Sequence, residues 1–148
     1  MPGTHLALNY HIIFSTKNRQ PLIAAAWRPK LHAYIGGILR AVGAIPEEVG
    51  GTEDHVHVLT GTKATHRLAD VLREVKSGSS QWVHQQLGFR SFAWQEGYAA
   101  ITVSPSALDA VRRYIARQEE HHRKKTFQEE YLELLNQSGI AFDSRYLW

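Results

Sequence analysis

The chain has 148 residues, 43% of them hydrophobic and 21% charged, with a formal net charge of +3. That composition suits one globular domain with its own core, and the absence of cysteine excludes disulfides, thiolate metal sites and thiol nucleophiles. No run of 18 apolar residues and no signal-like N-terminus occurs, so a cytoplasmic protein is expected, and its mild positive charge permits a polyanionic partner without requiring one.

The first periodic segment, Leu6 to Ser15 (LALNYHIIFS), reads as a strand with Tyr10, Ile12 and Phe14 on one face and Asn9, His11 and Ile13 on the other. A basic turn follows at Lys17-Asn18-Arg19-Gln20-Pro21. Pro29 opens a helix whose apolar positions Leu31, Tyr34, Ile35, Ile38, Leu39 and Val42 recur at helical spacing until Gly43. Residues 44–50 fit a short strand pairing with residues 53–59, with Gly50-Gly51 as the turn between them. A second helix starts near Thr65 and carries Leu68, Val71, Leu72, Val75, Trp82 and Val83 on one side. Gly78 lies inside it and weakens it locally.

A fourth strand is expected from Tyr98 to Val103. Ser106 and Asp109 resemble a capping box that opens a third helix over about residues 107–123. A last amphipathic helix holds Phe127, Tyr131, Leu134 and Leu135, ends near Gly139 and leads into the aromatic tail IAFDSRYLW. The order β-α-β-β-α-β-α-α suits an α+β fold: a ferredoxin-like (RRM-like) antiparallel sheet with helices on one face, plus a C-terminal helical extension. Residues 1–125 are expected to form the main domain. Residues 126–148 would pack on that domain or on a partner. With helices on one side, the other sheet face is expected to stay free for a ligand.

Nine histidines prompt a search for metal ligands. In the segment EDHVHVL, strand alternation puts His55 and His57 on one face and Val56 and Val58 on the other. Two imidazoles held on a strand can converge on one divalent cation, Zn²⁺ included. Taken alone, two partly exposed sheet histidines are the commoner outcome. Tyr114 and Gln118 are four residues apart on the third helix and share one side of it. A phenol can act as a covalent nucleophile, and an amide oxygen suits a hard cation.

Several blocks, HLALNYHIIFSTKNRQPLI, EDHVHVL, LREVKSGSS, WQEGYAAITV and VRRYIARQ, occur in an order that resembles the single-tyrosine HUH transposases of bacterial insertion sequences and their REP-associated relatives. The likeness spans most of residues 5–125. It implies the HUH endonuclease fold and a metal-dependent single-stranded DNA endonuclease and strand transferase, working as a homodimer on DNA hairpins through a 5′-phosphotyrosine. It also implies Tyr114 as nucleophile, His55, His57 and Gln118 as ligands, and Mg²⁺ or Mn²⁺ as the metal. No nucleotide cofactor and no membrane are implied, and the protein would join the nucleoid when bound to DNA.

Candidate DNA contacts are Lys17 and Arg19 in the first turn, Arg73, Lys76, Ser79 and Ser80 on the second helix, and Arg112, Arg113 and Arg117 around the nucleophile, since cations neutralise phosphates and hydroxyls position the backbone. Trp94 or Tyr98 could stack an unpaired base, against the plainer reading as core aromatics. His121 is a possible auxiliary group, although with His122, Arg123, Lys124 and Lys125 it also fits a solvated basic helix end. Glu53 and Asp54 could add a carboxylate ligand, with a turn role preferred. His11 is expected to be structural. Tyr131 lacks a glutamine four residues on and ranks below Tyr114. Two other functions compete: a metal-dependent phosphodiesterase that activates water, and a domesticated hairpin-binding protein that no longer mobilises DNA.

Overall fold

The computed structural model describes residues 3–143, so the last five residues of the aromatic tail lie outside the described residues. Strand β1 (Leu8–Ser15) runs through the middle of an antiparallel sheet, between β3 (His55–Thr62) and β4 (Ala99–Thr102). Strand β2 (Ile45–Gly51) pairs outside β3, which gives the order β2-β3-β1-β4. With helix α1 (Arg28–Ala41) joining β1 to β2 and helix α2 (Leu68–Gln86) joining β3 to β4, this is the ferredoxin-like arrangement.

Alternation sets the two faces of the sheet. Ile12, Phe14, Val56 and Val58 point to α1 and α2 and join Leu31, Ile35, Leu39, Val71, Leu72 and Val75 in the main core. Gly43 ends α1 at a φ of 86°, a conformation that glycine adopts without a Cβ clash. Gly78 does not break α2. A Cβ there would stand 2.9 Å from Ile38 Cδ1, so the missing side chain lets α1 and α2 approach. Gly50 and Gly51 remain in β2, and the reversal falls instead on residues 52–54.

The other face of the sheet is not free. The third helix breaks at Arg117 (φ −106°, ψ 23°) into α3 (Leu108–Ala116) and a single turn, α4 (Gln118–His121). Its expected capping box does not form: the Ser106 hydroxyl pairs with that of Ser104, and a 3-10 turn at Pro105–Ala107 starts the segment. The capping box occurs at α5 (Phe127–Gln137), between Thr126 and Glu129. Ile115 of α3 packs on Leu59 and Val103, and Phe127 and Leu135 of α5 pack on Ile13 and Ala99. Burying each large apolar side chain contributes roughly 1.5–3 kcal/mol, which is why this apolar stripe closes over the sheet rather than facing water.

Candidate active site

His55 and His57 project from β3 beneath this C-terminal cover, and both side chains are fully buried. Gln118, at the restart of the broken helix, is also buried and brings Oε1 to 3.0 Å from His55 Nε2. Sequence reasoning missed the group that joins them. Glu130 of α5 is only 4% exposed, and its Oε1 lies 3.1 Å from His57 Nε2, 3.7 Å from His55 Nε2 and 3.3 Å from His122 Nε2. Its Oε2 accepts from the Tyr114 hydroxyl and from Gln118 Nε2 at 3.2 Å. One carboxylate therefore spans the gap between the candidate ligands and the candidate nucleophile.

The outer nitrogens of the two histidines have different partners. Asp54 Oδ1 stands 2.8 Å and Thr52 Oγ1 3.1 Å from His55 Nδ1, so Asp54 orients a candidate ligand from outside. His57 Nδ1 lies 2.8 Å from His11 Nε2. Phe127 stacks on the His55 ring at 4.2 Å between centroids, and His121 packs on Tyr114 at 4.7 Å.

Electrostatics follow from this packing. Burial pushes His57 down to about 4 despite the Glu130 carboxylate beside it. Burial and the neighbouring His57 take His11 to about 3. Burial alone would raise the Glu130 carboxyl, but hydrogen bonds from His122, His57 and Tyr114 hold it well below the usual carboxylate range. Burial and the Glu130 carboxylate raise the Tyr114 phenol far above its ordinary value. His122, half-buried, is raised by the same carboxylate against its own desolvation.

His55, His122 and Glu130 bring ligand atoms within 4.8 Å of one another and could hold a metal ion. The local chemistry fits one. The Asp54 carboxylate can only accept, so His55 carries a proton at Nδ1 and turns a lone pair at Nε2 toward the lone pairs of Gln118 Oε1, 3.0 Å away. Two acceptors at that distance repel unless a cation or a second proton lies between them. Spacings near 3 Å also match the edges of a coordination shell with bonds of about 2.1 Å.

The candidate DNA contacts divide between opposite faces of the sheet. Lys17 and Arg73 are exposed near the loop 93–98, and Ser80 lies in the groove beside it. Lys76 is spent on that loop: its Nζ donates to the carbonyls of Gln95, at 2.8 Å, and Gly97. Ser79 is buried and accepts from Trp94 Nε1 at 3.0 Å, and Trp94 meets Phe14 edge-on, so both belong to the core. Tyr98 remains 38% exposed. Arg19 is half-buried in the first turn with a φ of 54°.

On the other face, Arg112 is held by Glu47 at 2.7 Å and Asp109 at 2.6 Å, while Arg113 and Arg117 are exposed. An open cleft of about 400 Å³ lies over Tyr114, bordered by Arg117, His121, Lys124 and Lys125. Glu130 was detectable in principle. It falls three residues after Phe127 and four before Leu134, inside the apolar stripe of its helix, where an unpaired acid would be costly.

Among the described residues no helix is long and apolar enough to cross a membrane. No curated protein matches the chain. Among solved structures it is similar to a candidate transposase of Deinococcus radiodurans R1, with 23% identity over 80% of this chain and 95% of that one and a TM-score of 0.63. It is also similar to a REP-associated tyrosine transposase bound to a REP hairpin, with 15% identity over 97% of this chain and 91% of that one and a TM-score of 0.61. Those likenesses establish the shared fold. Residues 4–118 match the family described as "Transposase IS200 like", and the chain belongs to that family.

Proposed function

We propose that the chain is a metal-dependent single-stranded DNA endonuclease and strand transferase that acts on hairpin-bearing DNA through a 5′-phosphotyrosine on Tyr114. The observation that carries this reading is the contact of Tyr114 and the His55–His57–Gln118 cluster with the two oxygens of one buried carboxylate, Glu130. A phenol that would serve as nucleophile thus adjoins side chains that would hold a cation, in a chain of the transposase family. The solved relative bound to a REP hairpin supports hairpin DNA as the partner. A homodimer is part of the same proposal.

His55, His57 and Gln118 would hold Mg²⁺ or Mn²⁺, with Glu130 and His122 as further donors beside them. A divalent cation there supplies Lewis-acid charge to a phosphate oxygen. Tyr114 Oη bonds to phosphorus as its proton passes to Glu130 Oε2, to which it already donates, and the 3′-oxygen leaves and takes a proton from solvent to become a hydroxyl. The phosphotyrosine conserves the energy of the broken bond, so a second 3′-hydroxyl can reverse the attack. Arg117, His121 and Lys124 line the approach to Tyr114 and would carry the strand's phosphates, while Lys125 beside them is paired with Glu133. Lys17, Arg73 and Ser80 would serve the hairpin on the other side.

The test incubates labelled hairpin-bearing single strands with the protein and Mg²⁺ or Mn²⁺ and resolves the products on a denaturing gel. A protein–DNA adduct in the wild type and none in Tyr114→Phe is the expected result. Cleavage that persists in Tyr114→Phe without an adduct would assign the chemistry to activated water instead.

A further inference from the structure

We propose that His11 is the positioning residue for His57, and that its Nε2 turns from hydrogen-bond donor to acceptor when His57 Nε2 holds a cation. This rests on the metal reading above and adds a residue that lies outside its ligand set.

Register places His11 there. Ile13 stands opposite His57 and His11 opposite Leu59, so His11 is the diagonal neighbour of His57 on the same sheet face. The Nε2–Nδ1 separation is 2.8 Å, the ring centroids are 5.0 Å apart, and His11 is 5% exposed. The Tyr114 ring meets both imidazoles edge-on, at 6.1 and 5.8 Å, and helps to fix their planes.

An imidazole at this position can do what a carboxylate cannot. The partner of His55 Nδ1 is Asp54, which only accepts, so that side of the site has one polarity. His57 needs two. Without a metal its Nε2 faces the Glu130 carboxylate at 3.1 Å and donates to it, so Nδ1 is bare and His11 Nε2 must be the donor. With a cation held at Nε2, His57 presents a lone pair there and carries its proton on Nδ1, so His11 Nε2 must accept.

The protons balance. His57 Nε2 gives one to solvent, His11 Nε2 passes its proton along the 2.8 Å bond to His57 Nδ1, and His11 gains one from solvent at its own Nδ1. Both rings stay neutral, and the pair releases no net proton. The outer partner of a ligating histidine is typically worth 10–100-fold in metal affinity.

The wild-type chain labelled with ¹⁵N-histidine tests the reversal without any substitution. His57 Nδ1 should give the signal of a bare ring nitrogen in metal-free protein and of a protonated one at saturating Mg²⁺, and unchanged protonation at Nδ1 would overturn the proposal. Mn²⁺ affinity, read by electron paramagnetic resonance, tests the positioning. His11→Phe keeps the ring volume but neither donor nor acceptor, and should bind Mn²⁺ about 10–100-fold more weakly. His11→Gln can both donate and accept, and should recover most of the loss. Wild-type affinity in His11→Phe, with binding lost in His57→Ala, would sink this inference and leave the metal reading standing. No Mn²⁺ binding by the wild type would end both.

Discussion

The Tyr114 hydroxyl donates to Glu130 Oε2, sixteen residues further along the chain, while the other oxygen of that carboxylate lies 3.1 Å from His57 Nε2. The phenol is therefore tied to the histidine cluster by an anion, and an anion beside a phenol disfavours the phenolate. Burial and Glu130 together keep the proton on Tyr114 in the metal-free state.

Glu130→Gln removes that charge with little change of shape. Tyr114 should then ionise at lower pH than in the wild type, seen as earlier phenolate absorbance in an ultraviolet titration. The Tyr114→Phe protein serves as reference, because Tyr131 also titrates high through burial. The same substitution weakens the charge-assisted bonds to His57 and His122 and should cost about 1–3 kcal/mol of stability. An unchanged Tyr114 titration would show that burial alone holds the phenol.

Acid should destabilise the fold between about pH 6.5 and 4. His57 and His11 titrate near 6.5 when unfolded but are lowered to about 4 and about 3 in the folded chain. The unfolded chain therefore binds more protons in that window, and stability falls as pH falls. His57 is faced by His11 of β1, His55 of β3, Tyr114 of α3, and His122 and Glu130 of the C-terminal segment. Glu130, held low, acts in the same direction further into acid, whereas His122, held high, acts in the opposite direction. Denaturant unfolding at pH 7 and pH 5 should differ by a few kcal/mol in total. A flat profile would mean that the histidine cluster charges without loss of packing.

Binding to single-stranded DNA should weaken with salt through the Tyr114 cleft. Arg117 is exposed at its border, whereas Arg112 is already held by Glu47 and Asp109. Arg117→Ala should lower the slope of log affinity against log salt by about 0.7, the value for one phosphate contact on a single strand. Arg112→Ala should change it less. Equal effects would indicate that the strand displaces the Arg112 ion pairs.

The face on which His55 and His57 lie was legible because a strand repeats every two residues, so Val56 and Val58 in the core leave the histidines no other side. Tyr114 and Gln118 were legible through their spacing, although the helix breaks at Arg117 and the two meet through Glu130 rather than along a continuous helix. The closed face was not legible. An amphipathic α5 states that it buries Phe127 and Leu135 but not against what, and only the folded chain brings them onto Ile13 and Ala99. Glu130 carried a signal, an acid inside the apolar stripe of α5, but an acid in the first turn of a helix also reads as a partner for the helix dipole. Lys76 reads as a free phosphate contact until the loop that it clamps is in place.

Gly50 and Gly51 are both hard to replace beside the site: a Cβ on Gly51 would run into the His55 carbonyl oxygen, and Gly50 tests the approach of β2 to α3. A Cβ on Gly50 would lie 2.5 Å from the Ile115 carbonyl oxygen and 2.9 Å from Ile115 Cγ2, so β2 and α3 approach too closely for any side chain. Ile115 precedes Gln118 by three residues and follows Tyr114 directly, so pushing it outward moves both. Gly50→Ala should therefore cost about 1–3 kcal/mol of stability by overpacking, and should weaken Mn²⁺ binding as Gln118 withdraws from His55. Gly37→Ala is the counterpart: it lies in α1 with open space around the added Cβ and should stabilise the fold by about 0.5–1 kcal/mol. Thermal unfolding and Mn²⁺ titration of the two variants separate the effects. A Gly50→Ala protein with wild-type stability and metal affinity would show that α3 can shift without cost to the site.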